Sequence, residues 1–190
     1  MALRVYVVDN GGQWTHREWR VLKYLGADTK IVPNATPFDE LRDVDGLVHS
    51  GGAPRVGMGD ALGRCAEHLD KAPYPILGIC AGMQFMATHF GGKARPGEVP
   101  EFGTTEVVRD GPDATIFAGM PERFKAWESH NDEVMEVPQG FVKLAHSENC
   151  AVQAMRHEAR PLFGLQFHPE VEHTEGGQRI FENFLAQCRK

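Results

Sequence analysis

The sequence predicts an α/β fold: a mostly parallel sheet covered by helices on both faces, with an added antiparallel strand portion. Three observations carry this. From Leu3 to Gly92, short apolar strands alternate with amphipathic helical stretches. At Lys93 the texture changes to short strands joined by turns, and a last amphipathic stretch follows after Glu175. Strand–helix alternation implies crossover connections, which make neighbouring strands parallel and bury both sheet faces. At 190 residues the expectation is one domain, 1–190, large enough to build a core without disulfides.

Leu3 to Val8 (LRVYVV) is a β-branched run ending in the turn Asp9-Asn10-Gly11-Gly12. Thr15 with Glu18 has the spacing of a capping box, so a helix starts near Trp14 or Thr15. Val21, Leu22 and Leu25 form its apolar face, and Gly26 suits the position just past its end. Thr29 to Val32 is a second strand, Phe38 to Arg42 a helical turn, and Gly46 to His49 a third strand. Asp60 is placed to cap a helix bearing Leu62, Cys65, Ala66 and Leu69 at helical spacing, with Pro73 beyond it. Tyr74 to Leu77 is a buried strand leading to the turn at Gly78 to Gln84, and Phe85 to Phe90 continues with helical character until Gly91-Gly92 stops it. Strands are then expected near 106–109, 123–127, 134–137, 142–147, 151–156 and 162–167. The final helix, about 175–188, aligns Ile180, Phe181, Phe184, Leu185 and Cys188. There is no internal repeat, low-complexity segment or linker.

Composition narrows the function classes. A net charge of −6 argues against a nucleic-acid partner, which calls for a basic patch. No apolar run approaches membrane-spanning length, and the first residues enter a strand pattern rather than a signal peptide. Cys65, Cys80, Cys150 and Cys188 are scattered without paired spacing, as expected of a reducing compartment; the expectation is cytoplasmic, with no membrane partner.

Chemistry concentrates at Gly78-Ile79-Cys80-Ala81-Gly82-Met83-Gln84. A lone buried thiol is usually only a small hydrophobe. Here it falls between strand and helix with glycine two residues to either side, the pattern of a nucleophile elbow with cysteine in place of serine. The helix N-terminus favours an anion there. A catalytic thiol needs a base and a group to hold that base. His168 ends a strand, Pro169 biases it toward extended backbone, and Glu170 then projects to the same side. Cys80, His168 and Glu170 thus form a candidate triad. Ala81 and the Gly51-Gly52 pair are candidate sources of oxyanion N–H donors, although a Gly-Gly pair alone is only a turn. No motif supports a metal site; His168, Glu172 and His173 are a conceivable set without ligand spacing.

These residues resemble the class I (triad-type) glutamine amidotransferases, with flavodoxin-like architecture. Gly51-Gly52 with Pro54, the Cys80 heptapeptide and His168-Pro169-Glu170 carry the resemblance over the whole chain. Asp9 to Gln13, Ser129-His130-Asn131-Asp132 and Gln166 to Thr174 narrow it to the free-standing glutaminase subunits of two-subunit, archaeal-type GMP synthetases. The resemblance implies that Cys80 attacks the L-glutamine amide, His168 moves the proton and Glu170 orients it. Gly52 and Ala81 would form the oxyanion hole; Gln84, Ser129, His130 and Asn131 would hold the substrate's α-amino and α-carboxylate ends. Ammonia would pass to a separate ATP-pyrophosphatase subunit of GMP synthetase that converts XMP to GMP. No cofactor is implied in this chain; Mg-ATP belongs to that partner. Two departures stand out: Gly51-Gly52-Ala53-Pro54 is one residue longer than the family's Gly-Gly-Pro, and Asn131 replaces the glycine of Ser-His-Gly-Asp, where asparagine tolerates a left-handed turn. The alternatives are a glutaminase serving an anthranilate or carbamoyl phosphate synthase, an isolated hydrolase, or a regulatory module without catalysis.

Overall fold

The computed structural model describes residues 1–189. Its elements run β1 (Val5–Asp9), α1 (Thr15–Tyr24), β2 (Ile31–Pro33), β3 (Gly46–His49), α2 (Cys65–Lys71), β4 (Ile76–Ile79) and α3 (Ala81–His89). The second half is β5 (Lys93–Arg109), β6 (Arg123–Glu136), β7 (Phe141–His146), β8 (Ala154–His157), β9 (Leu162–Leu165) and α4 (Gly177–Cys188). One nine-stranded sheet joins all the strands in the order β2-β1-β3-β4-β9-β8-β7-β5-β6.

The α/β class stands as the sequence predicts. The first five strands in that order pair in parallel, and the remaining pairings are antiparallel. The antiparallel portion is therefore half of the sheet rather than a small addition. The runs near 123–127 and 134–137 are one strand, β6, and the strand foreseen at 106–109 begins already at Lys93. Polar alternation on these half-exposed strands hides their length from a search for apolar runs. Helices cover both faces. On one, Leu22 of α1 and Ile180, Phe181, Phe184 and Leu185 of α4 pack with Val7, Leu77 and Phe163. On the other, Leu69 of α2 and Met83 and Met86 of α3 pack with Val8, Leu47 and Ile76.

Two helix starts differ from the sequence reading. Trp14 occupies the cap position of α1 with no side-chain capping bond. The Thr15 hydroxyl turns toward Asp9, Gly12 and Ser50 instead, and Glu18 is buried, so no capping box forms. Asp60 does not cap α2, which starts only at Cys65; its carboxylate accepts the Arg55 N–H at 2.8 Å. In both cases a tertiary partner outcompetes the local cap.

Because β1, β3, β4 and β9 are parallel, their carboxyl ends share one edge of the sheet, where α/β folds collect ligand chemistry. Ile79 pairs with Leu165, and the Cys80 N–H donates to Leu165 O at 2.7 Å. The chain after β9 therefore runs directly beside the chain after β4. Among the described residues no helix is long and apolar enough to cross a membrane.

The β4–α3 turn leaves no room for side chains. A Cβ on Gly78 would lie 2.7 Å from the Gly82 carbonyl, and one on Gly82 would overlap His49 O. Gly82→Ala must push backbone apart and is expected to destabilise the fold by about 1–3 kcal/mol or more, read from urea denaturation. At Gly91, where the added methyl meets open space but φ is +92°, the same change should cost about 1–2 kcal/mol, from left-handed backbone alone.

Candidate active site

Cys80 caps α3 with φ 51° and ψ −110°, and among the described residues it is the only non-glycine at positive φ. Such backbone costs about 1–3 kcal/mol and persists where the surroundings over-determine it. Here they are the Gly78 and Gly82 contacts and the bond to Leu165. The result is a thiol at the sheet edge over the first turn of a helix, whose N–H groups have no intrahelical acceptor.

His168 enters from the segment after β9. Its N–H donates to Trp127 O at 2.9 Å and its carbonyl accepts the Thr174 hydroxyl at 2.7 Å. The Trp14 ring meets the imidazole edge-on at 4.5 Å between centroids. Nδ1 is bonded to Glu170 Oε1 at 2.6 Å. Nε2 is buried and makes no hydrogen bond of good geometry, though the Cys80 thiol lies near enough to favour the charged ring. Burial alone would push His168 down, but the Glu170 charge and the Cys80 and Glu170 contacts hold it well above the usual histidine range. The predicted trio is thus brought together: the base faces the thiol, and its other nitrogen is held by a carboxylate.

A cavity of about 250 Å³ opens over this trio, walled by the Gly11–Thr15 segment, Glu18, the Gly51–Ala53 loop and Ser129. Gly51 is the closer of the glycine pair to the chemistry: a Cβ there would sit 3.4 Å from Cys80 Cβ and 3.2 Å from His168 Cε1. Gly52 also lines the cavity but is pressed against Asn10 O. Ala81, buried, follows the thiol at the helix start.

The four residues expected at the substrate's ends part company. Ser129 reaches the cavity, and its carbonyl lies 3.9 Å from Cys80 Sγ. Gln84 does not line it. Its amide is spent on Asp132 O at 2.7 Å and Gln166 Oε1 at 3.1 Å, tethering α3 to β6 beneath the thiol. His130 and Asn131 do not line it either. The expected turn at Ser129–Asn131 is continuous β6 strand, and Asn131 has no left-handed backbone. Alternation then points His130 away from the Ser129 side. His130 is buried between Glu101 Oε2 at 2.9 Å and Glu128 Oε2 at 3.3 Å, with its other nitrogen on Asp132 O. Burial would lower its pKa, but the bonds to Glu101 and Glu128 outweigh this and raise it to about 10.

The sequence reading passed over several groups here. Trp14, Glu18 and Thr174 act on or beside His168, and Gln166 places its Nε2 3.6 Å from Cys80 Sγ. Arg55, foreseen only as loop, grips the buried Asp132 with a fork of 2.6–3.0 Å contacts and ties the loop after β3 to β6. One signal was available. Glu18 lies three and four residues before Val21 and Leu22, on the apolar face of α1. Elsewhere, His49 and His68 form a buried chain: His68 Nε2 donates to Thr36 O at 2.8 Å, leaving Nδ1 to accept from His49 Nε2 at 3.3 Å. Burial, then His68, pushes His49 down to about 3, so both rings are neutral.

Residues 6–188 match the family described as glutamine amidotransferase class-I. The chain is 51% identical over 191 residues to a Thermoplasma volcanium protein named as a subunit of glutamine-hydrolysing GMP synthase, covering 100% of this chain and 94% of that one. It is 48% identical to the protein of the same name from Thermococcus kodakarensis, covering 97% and 98%. The crystal structure of a Thermoplasma acidophilum protein described as the same GMP synthase subunit superimposes with a TM-score of 0.94 at 51% identity, over 100% of this chain and 95% of that one. A glutamine amidotransferase from Thermotoga maritima, 20% identical with a TM-score of 0.72 over 98% and 82% of the two chains, shares the fold.

Two outcomes follow from the electrostatics. Burial pushes Cys65 and Cys188 up to about 12 and Cys150 higher still, while Cys80 lines the cavity. Iodoacetamide at neutral pH should therefore modify Cys80 first, as read by peptide mass spectrometry. His130 binds its proton more tightly folded, at about 10 against 6.5 unfolded. Its stabilisation is thus full below pH 6.5 and lost as pH rises toward about 10. Urea denaturation across this window should show stability falling in the wild type and a shallower fall in His130→Gln.

Proposed function

The chain belongs to the class I glutamine amidotransferase family, and on that premise we propose that it is the glutamine-hydrolysing subunit of a two-subunit GMP synthetase. The observation that carries the chemistry is the parallel pairing of β4 with β9, which sets His168 and Glu170 beside a thiol held at φ 51°. The near-full-length similarity to proteins named as subunits of glutamine-hydrolysing GMP synthase supports the choice of reaction.

In this reading glutamine enters the cavity with its side-chain amide over Cys80. Sγ attacks the carbonyl carbon, and the oxyanion that forms accepts hydrogen bonds from the Ala81 N–H and from the Gly51-Gly52 loop, with Gly52 as the second donor. The C–N bond breaks as His168 gives its proton to the departing nitrogen, releasing ammonia and leaving a glutamyl thioester. Water, deprotonated by His168, then splits the thioester into glutamate and free thiol. Glu170 keeps the imidazole turned toward the thiol and stabilises its positive charge. Ser129 offers a wall and a carbonyl to the substrate. Gln84 and His130 act from behind: Gln84 ties α3 to β6, and His130 ties β6 to β5, so that β6 presents Ser129.

The chain carries this step with its own side chains and no cofactor. Ammonia is delivered to a separate ATP-pyrophosphatase subunit, which uses Mg-ATP to activate XMP and form GMP, in the cytoplasm. No nucleic acid takes part.

The experiment is GMP formation from XMP and Mg-ATP by the reconstituted pair of subunits. Cys80→Ala should abolish the glutamine-dependent rate and leave the ammonia-dependent rate intact; residual glutamine hydrolysis would refute the nucleophile. Glu170→Gln should lower kcat by about a hundredfold or more with a smaller change in KM, and His168→Ala should be slower still. A Glu170→Gln enzyme with unchanged kcat would reduce the carboxylate to a structural role.

A further inference from the structure

Glu18 is a buried carboxyl group that the reaction above does not use. It projects from α1 into the cavity wall shared with Cys80, His168 and Glu170, and is 1% exposed. Its Oε2 is buried with no hydrogen-bond partner. Glu170 mirrors it: Oε1 is taken by His168 Nδ1 at 2.6 Å, while Oε2 is buried and unpartnered. Among the described residues, no lysine or arginine pairs with either carboxyl. Two carboxyl groups lining one cavity thus each present one orphaned oxygen, and His168 is the one cationic group bonded to either.

We infer that Glu18 is a positioning residue for the reaction: its carboxyl O–H donates to Glu170 Oε2 and locks the carboxylate that orients His168. One shared proton satisfies both orphaned oxygens at once, as in sites where two carboxyl groups hold a proton between them. Leaving either oxygen bare would carry the full penalty of an unmade buried hydrogen bond. The electrostatics agree. Burial first, then the Glu170 charge, hold Glu18 well above the usual carboxyl range, with Asp9 adding to the rise; His168 and the Gly51 N–H oppose it. The facing groups are therefore Asp9 at the end of β1, the Gly51 peptide after β3, and His168 and Glu170 after β9. Cys80 at the start of α3 and Glu128 on β6 act on the same imidazole. Without the Glu18 proton, Glu170 faces a like charge, turns, and releases the ring.

This inference rests on the Cys80–His168–Glu170 reading, and its test keeps the two separable. Glu18→Leu removes the donor at similar size; Glu18→Gln keeps an N–H donor that cannot titrate. Glutamine hydrolysis by the reconstituted complex and the pH dependence of Cys80 alkylation by iodoacetamide are measured for both variants and the wild type. Glu18→Leu should lose about tenfold in kcat, the worth of one buried hydrogen bond, with KM within about twofold and a displaced alkylation midpoint. Glu18→Gln should stay within about twofold of wild type in kcat, with the alkaline fall in rate moved to higher pH. Wild-type rates and midpoints in Glu18→Leu would overturn the inference, as would a Glu18→Gln enzyme as slow as Glu18→Leu. If Glu18→Leu fails to fold, an unmoved alkaline limb in Glu18→Gln overturns it alone. A wild type that alkylates normally but does not hydrolyse glutamine would refute the functional reading, and the alkylation midpoints would still decide the role of Glu18.

Discussion

The approach of backbone to backbone where β4 turns into α3 sets the position of every other group at the site. Gly78 meets the Gly82 carbonyl and Gly82 meets His49 O, so strand, helix and the neighbouring β3 are in direct main-chain contact. That contact forces the residue between the glycines into left-handed backbone. Cys80 therefore stands at the sheet edge and lines the cavity. The cost is offset by the bond to Leu165 O and by packing of Met83 against Gly164, where a Cβ would lie 2.5 Å from the Met83 side chain. The glycine on β9 thus belongs to the same constraint as those around the thiol.

Positive charge at this edge is held in a dry acidic shell. His168 and His130 both keep their protons against burial because carboxylates accompany them. The effective dielectric inside a protein is low enough for one such partner to outweigh desolvation. The two histidines do different work. His168 presents one nitrogen to the thiol, whereas His130 spends both nitrogens on fixed acceptors, and Glu101 is further bound by Ser147 at 2.6 Å and Gln153 at 2.8 Å. That second network pins β6, and β6 carries the Ser129 carbonyl to the cavity. Chemistry and scaffolding are built from the same residue type and separated by which nitrogen is left open.

The loop after β3 links the two. Arg55 and the Gly57 N–H both bind Asp132, which fixes the far end of the loop to β6. Its near end, Gly51-Gly52, lies between Asn10 and His168. With Ala53 standing before Pro54, Gly51 lies directly against Cys80 and His168. A loop held at both ends is preorganised, which is what the proposed N–H donor needs to act on developing charge.

The sequence alone determined the α/β class, the elbow at Cys80 and the pairing of His168 with Glu170. These follow from local rules: glycine spacing, strand-to-helix succession, and the alternation that turns residues i and i+2 to one side. It also placed Gly51-Gly52 near the thiol, because parallel strands end at one edge. What it could not decide depended on contacts between distant segments. Thr15 and Glu18 read as a helix cap from spacing, but Ser50 binds the Thr15 hydroxyl and Glu18 is buried in the cavity wall. Gln84 and His130 read as substrate contacts, but the length and register of β6 turn them to the scaffold. Side-chain chemistry is written residue by residue, whereas its partners are chosen only when the sheet brings its strands together.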